Sequence, residues 1–141
     1  MTDTNSDTPL SGKELEHRIL VTRTVMSILD SWNLGTEQCL QILQLPGKTA
    51  LRSLRKYRND TPFPPGQELD KRIEHLIGIA EALRTTYPRN AHMAERWMNR
   101  PNRRFNRRSP VSVILEYGMG GLINVRTHLD CAFAWECSTA S

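Results

Sequence analysis

Residues that could do chemistry are few and widely spaced along the 141-residue chain. His128 and Cys131 stand three positions apart in a helical pattern, so an imidazole and a thiol could share one side of a helix. A nucleophile–base pair needs a third group to orient the imidazole, and nothing in the sequence is singled out for that part. A buried or partner-facing thiol accounts for Cys131 better. The carboxylates Glu14, Glu16, Glu68 and Asp70 fall at helix starts, where they complement the helix dipole, so structure explains them better than acid–base work. Cys39, Cys131 and Cys137 are odd in number and lack a CxxC spacing, which argues against a disulfide framework or a zinc site. His17, His75 and His92 are scattered, with no H-E-x-x-H pattern. Gly118, Gly120 and Gly121 suit a helix-to-helix turn rather than a phosphate cradle. The sequence reads as a non-enzymatic protein with no cofactor or metal.

Charge is more informative. The run from Lys48 to Arg58 holds five cations in eleven residues and no acid. It follows a short helical segment and the Pro46-Gly47 turn, the order of a helix-turn-helix whose second helix enters the major groove. Lys48, Thr49, Arg52, Ser53, Arg55 and Lys56 are the candidate DNA contacts, since such a helix can neutralise phosphates. A basic surface helix with no ligand has the same composition, and Ala50, Leu51 and Leu54 would face a core in either case. A second cluster, Arg96, Arg100, Arg103, Arg104, Arg107 and Arg108, surrounds Phe105. It fits a nucleic-acid contact, a protein partner's acidic surface or a solvated loop. Trp97 on one side and Ser109-Pro110 on the other predict an ordered loop rather than a tail.

The elements that must position these groups are helices throughout. Ser11 can cap a helix with Leu15, Ile19, Val21, Val25, Ile28, Leu29 and Trp32 on one face, broken at Asn33–Gly35. Thr36 can cap a short helix bearing Cys39, Leu40, Ile42 and Leu43, and a third runs from about Lys48 to Tyr57. Three prolines make Asn59–Gly66 a rigid connector. A central helix from Glu68 to about Thr86 carries Leu69, Ile73, Leu76, Ile77, Ala80 and Leu83 as an apolar stripe with charges opposite. Pro88 opens a helix with Ala91, Ala94, Trp97 and Met98. Ser109-Pro110 caps one with Val113, Ile114 and Tyr117, which ends at Gly118, where positive φ is wanted. A last helix spans roughly Gly121 to Glu136. No alternating strand pattern competes, so the fold class is all-α. The expected division is a leader at 1–10, a helix-turn-helix-like domain at 11–87, a second helical domain at 88–137 and a tail at 138–141.

Bulk properties agree with a globular protein. The chain is 38% hydrophobic and 24% charged, too apolar for full disorder, with a formal net charge of only +4, so the placement of charge outweighs its total. No apolar run is long enough for a membrane span and the polar, acidic start is not a signal peptide, so a cytoplasmic location is expected.

The C-terminal pattern carries a resemblance. Trp97-Met98-Asn99-Arg100-Pro101-Asn102, Phe105, Ser109-Pro110-Val111, Gly118 and Val125-Arg126-x-x-Leu129-Asp130 resemble the toxin-binding domain of Xre/MbcA/ParS-type antitoxins over about residues 90–131. Residues 25–85 are more weakly similar to the Xre-type helix-turn-helix half of that family. The resemblance implies a homodimeric antitoxin whose partner is a RES-domain toxin that depletes NAD. It further implies blocking of the toxin's active site by the C-terminal part and binding of the complex to its own promoter. Toxin contacts are then expected at Arg107, Arg108, Asn124, Arg126, His128, Asp130, Phe133 and Trp135. Two departures stand out: Asn106-Arg107 occupies a loop where the family has one or two glycines, and the last helix ends in Cys131-Ala-Phe-Ala-Trp135. A stand-alone helix-turn-helix transcription regulator is the rival reading.

Overall fold

A computed structural model describes residues 12–45 and 54–139, apart from the side chains of residues 91 and 132–139. The leader at 1–10, the cap expected at Ser11 and the candidate DNA contacts Lys48, Thr49, Arg52 and Ser53 lie outside the described residues. Within them the chain forms α1 (Gly12–Ser31), α2 (Thr36–Leu43), α3 (Leu54–Asn59), α4 (Gln67–Thr86), α5 (Ala91–Asn99), a 3-10 turn (Arg103–Phe105), α6 (Pro110–Tyr117) and α7 (Met119–Thr139). Among the described residues β-type pairing amounts to one isolated bridge between Asn102 and Arg108. The architecture is all-α, as the periodicity predicts. The tail expected from residue 138 is instead helical through Thr139.

The helix α4 is the organising element, packed against α1, α2, α5 and α7. Because neighbours cover it on several sides, its buried face is wider than the predicted stripe. Leu69, Ile73, Leu76, Ile79 and Leu83 are buried, while Ile77 and Ala80 are only partly so. One charge predicted to face outward does not. Arg72 is 3% exposed, because α2 ends nearby and leaves a carbonyl without an intrahelical partner. Arg72 Nη1 donates to the Ile42 carbonyl at 3.0 Å, and its Nη2 reaches Gln44 Oε1 at 3.1 Å and Glu68 Oε1 at 3.3 Å.

Burial on α1 begins only at Thr22 and continues through Val25, Met26, Leu29 and Trp32. The core reaches the later turns alone, so Leu15, expected on the packed face, is 40% exposed. The proline-rich connector is held to this helix by two side chains. Thr22 Oγ1 accepts from the Phe63 N–H at 2.9 Å, and Arg18 donates to the Phe63 and Pro64 carbonyls at 2.8 and 2.7 Å. Phe63 is thereby seated in the core beside Tyr57 of α3, ring centroids 5.1 Å apart.

Helix starts differ in detail from expectation. Gly35, not Thr36, is the cap of α2, its N–H donating to Gln38 Oε1 at 3.0 Å. Asn90, not Pro88, opens α5, with its side chain accepting from the His92 N–H. Ser109 caps α6 as predicted, accepting from Ser112 N–H at 3.1 Å, with Pro110 in the first turn.

Two glycines set the α6–α7 hairpin. Gly118 has φ 60° and ψ −124°, open to glycine and strained for other residues. Gly121 lies in the first turn of α7, which begins at Met119, and a β-carbon there would sit 2.7 Å from Ile114 Cα. Its bare backbone lets α7 cross α6 in direct contact, which buries Leu122, Val125 and Leu129 against one continuous core.

Candidate functional site

The segment between α5 and α6 carries most of the arginine cluster, and its backbone is tied by a set of short-range hydrogen bonds. Asn102 N–H donates to the Arg108 carbonyl at 3.1 Å, and the Asn102 carbonyl accepts from Phe105 and Arg107 N–H groups at 3.0 and 2.9 Å. Its side chain accepts from Arg104 N–H at 3.0 Å. Closing the turn this tightly requires left-handed backbone at two successive positions, Asn106 (φ 55°) and Arg107 (φ 66°). These are the positions where glycines were missing from the pattern, so the turn is formed without them. Such angles cost an L-residue about 1–2 kcal/mol, least for Asn.

The turn is docked by Phe105. That ring is buried edge-on to Trp97 of α5, with centroids 6.3 Å apart, and to His128 of α7, at 5.0 Å. Arg104 Nη1 donates to His128 Nε2 at 2.9 Å. A guanidinium only donates, so His128 must present a lone pair at Nε2 and carry its proton on Nδ1. Burial, and then the Arg104 charge, hold its pKa below the ordinary 6.5. His128 is thereby a structural contact, and its acceptor nitrogen is occupied rather than directed at Cys131, which is exposed.

The eight residues expected to meet a partner fall into separate groups. Arg107 is exposed at the turn. Arg108 is partly buried: it pairs with Glu116 and lies over the Tyr117 ring, 5.6 Å from its centroid. Asn124 and Asp130 are exposed on α7, in a row with Ile123, Thr127 and Cys131. Arg126 and His128 point the other way, into the molecule. Arg126 Nη1 reaches His75 Nδ1 at 3.2 Å on α4, and its charge lies 3.9 Å from both Glu74 and Asp130. Phe133 and Trp135 lie on the backbone of α7, with side chains outside the described residues.

A cleft of about 420 Å³ opens between the turn and the hairpin, reached by Arg104, Asn106, Arg108, Tyr117, Gly120 and Asn124. Tyr117, 61% exposed, was read from the sequence as part of an apolar helix face. Its periodicity is that of a core residue, and only the crossing of α6 and α7 leaves it outside.

On the N-terminal side, Arg55 and Lys56 of α3 are exposed, while Leu54 and Tyr57 are buried against the core. Arg58, the last cation of that run, is not free. It makes a bidentate pair with Asp30 of α1, at 2.9 and 2.8 Å, which ties α3 to α1. Among the described residues no group of three or more His, Cys, Asp or Glu side chains could hold a metal ion. None of the described helices is long and apolar enough to cross a membrane.

The docked turn and the helices around it coincide with a known domain. Residues 82–131 match the family described as the antitoxin Xre/MbcA/ParS C-terminal toxin-binding domain. This stretch of the chain is similar to the Xre/MbcA/ParS antitoxin domain, in agreement with the resemblance of the Trp97-to-Asp130 pattern. The match starts within the last turns of α4 rather than at residue 88. Over a longer stretch the chain is similar to uncharacterized protein y4oB of Sinorhizobium fredii (strain NBRC 101917 / NGR234). The two are 26% identical over 103 residues, covering 73% of this chain and 76% of that protein. No solved structure matches the chain.

Proposed function

We propose that this antitoxin neutralises a RES-type, NAD-depleting toxin by covering the entrance to its active site, and that it works by binding rather than catalysis. The observation that carries the reading is the coincidence of the family match at 82–131 with an ordered, arginine-rich turn locked against α7. A protein that blocks a cavity needs a surface whose shape is set before the encounter, since ordering it on binding would cost affinity. The turn, with Arg107 and Arg108, and the outward row Asn124 to Asp130 form that surface, and α7 carries Phe133 and Trp135 beyond it. Arg126 and His128 hold the surface in place.

Co-expression in a bacterial host tests the reading. The product of the neighbouring reading frame should arrest growth and drain NAD when expressed alone, and this chain should reverse both effects. Failure to restore growth and NAD by a soluble, folded chain would sink the proposal.

The same reading includes a homodimer in the cytoplasm that represses its own promoter through the Lys48–Lys56 segment. The exposure of Arg55 and Lys56 on α3 favours this second activity, since cations free of carboxylates can meet phosphates. A salt titration of binding to the upstream DNA, with and without the toxin, tests it. If neither form binds, DNA recognition is removed, and if the free chain binds DNA but no toxin, the transcription-regulator reading replaces the antitoxin one.

A further inference from the structure

We propose that the cleft between the 102–108 turn and the α6–α7 hairpin is a carboxylate-binding subsite that receives an aspartate or glutamate side chain of the toxin. This rests on the antitoxin reading and adds the chemistry of the contact.

The polar groups that line the cleft are two guanidinium groups, two carboxamides and a phenol, and no carboxylate lines it. Arg104 is fixed by His128, and Arg108 by Glu116 and the Ser112 carbonyl. A guanidinium has five N–H donors, so each arginine keeps donors to offer after these contacts. The contacts also fix the planes of both forks in advance, which suits bidentate capture of a carboxylate. Phe105 and Val113 supply an apolar wall, and a charge-assisted hydrogen bond gains strength beside such a wall.

The exposed cations of the segment that carries Arg104 and Arg108 repeat the same preference. Arg100, Arg103 and Arg107 are exposed and make no ion pair with any described residue. Positive charge of this density selects an acidic partner and speeds its encounter. Tyr117, 61% exposed, lines the cleft as an anchor, and Tyr and Arg are among the types that dominate interface energies. A nucleic-acid backbone would call for cations strung along a groove, whereas this cleft is a single walled pocket the size of one or a few side chains. Gly120 lines the cleft at an open point, where a β-carbon would meet nothing within 4 Å.

Gly120 also provides the test. Gly120→Glu places a carboxylate at the cleft as an internal competitor, in a first helical turn where an acid is favoured and glycine is not. Thermal melting should show it at least as stable as the wild type. Binding of the full-length protein to the neighbouring frame's product is measured by calorimetry at about 50 and about 300 mM salt, which bracket weak and strong screening. Gly120→Glu and Arg108→Glu should each weaken binding by about tenfold or more and flatten its salt dependence, with Lys13→Glu as the charge control. If both variants bind as tightly as the wild type, the subsite is overturned and the antitoxin reading stands. If the wild type does not bind, both fall. If toxin binding is unchanged while affinity for a short RNA or DNA duplex is lost, the cleft is a nucleic-acid site and the proposal is overturned.

Discussion

The guanidinium of Arg126 on α7 lies across the backbone of α4 at Gly78, where a β-carbon would come within 2.5 Å of its Nε. That packing gives a reason for a glycine in the middle of a 20-residue helix, where it costs about 1 kcal/mol relative to alanine. It also explains how the domain matched by the antitoxin family is fastened to the rest of the chain. Arg126 is the polar pin of the α4–α7 interface, beside the buried core residues Leu122, Val125 and Leu129 of the same helix.

A double-mutant cycle reads this directly. Gly78→Ala alone should change stability little, because the displaced guanidinium offsets the gain in helix propensity. On an Arg126→Ala background the same change should add about 1 kcal/mol in denaturant unfolding. Additivity of the two changes would show that Arg126 is not what the glycine accommodates.

The hairpin glycines should be far less tolerant. Gly121→Ala pushes a methyl into the backbone of α6, which cannot rotate away, and overpacking of this kind costs about 1–3 kcal/mol. Gly118→Ala requires left-handed backbone at alanine and should cost about 1–2 kcal/mol. Both losses should appear in urea midpoints, with Gly120→Ala, which has room for its methyl in the same helix, showing no loss as the internal comparison.

At the arginine turn, stability and binding should separate. Arg107→Gly relieves a left-handed arginine and should raise stability by roughly 0.5–1 kcal/mol, less than the full strain because glycine also gains freedom when unfolded. Toxin affinity should fall by a few-fold with the loss of a rim charge. A variant that lost stability would contradict the turn geometry.

His128 makes folding sensitive to mild acid. Its folded pKa lies below 6.5, so the unfolded chain binds the proton more readily and protonation opposes the native state. The contribution is complete above about pH 6.5 and is lost as pH falls through the lowered folded value. Melting temperature should therefore drop more steeply below pH 6.5 in the wild type than in His128→Gln. Equal slopes would remove Arg104–His128 from the account.

Much of the fold was legible because helices announce themselves locally. The Ser109-Pro110 start and the Gly118 stop depend on backbone rules that involve only nearby residues, and both were found where the sequence placed them. The Trp97, Asn102, Phe105 and Ser109 pattern was legible for a related reason: each residue closes or docks one short turn. Arg72 was read as an outward charge and is buried, and the contacts of Arg126 inside the molecule were not foreseen. A cation's role is set by what lies across from it, and besides Glu68 and Asp130 on their own helices their partners are 28 to 52 positions away in the chain.

By itself, then, the sequence determined an all-α chain, its turn chemistry and the antitoxin type of its C-terminal domain, since period, caps and motif spacing are properties of neighbouring residues. Tertiary structure decided which arginines are spoken for and which are free. Arg58, Arg72 and Arg126 look like Arg103 and Arg107 in the sequence, and only the packing of distant helices supplies the carbonyls and carboxylates that claim the first three. The same packing brought Arg104, Arg108, Tyr117 and Gly120 to the edge of one cleft, because the crossing of α6 and α7 at Gly121 turns a face that reads as core toward solvent.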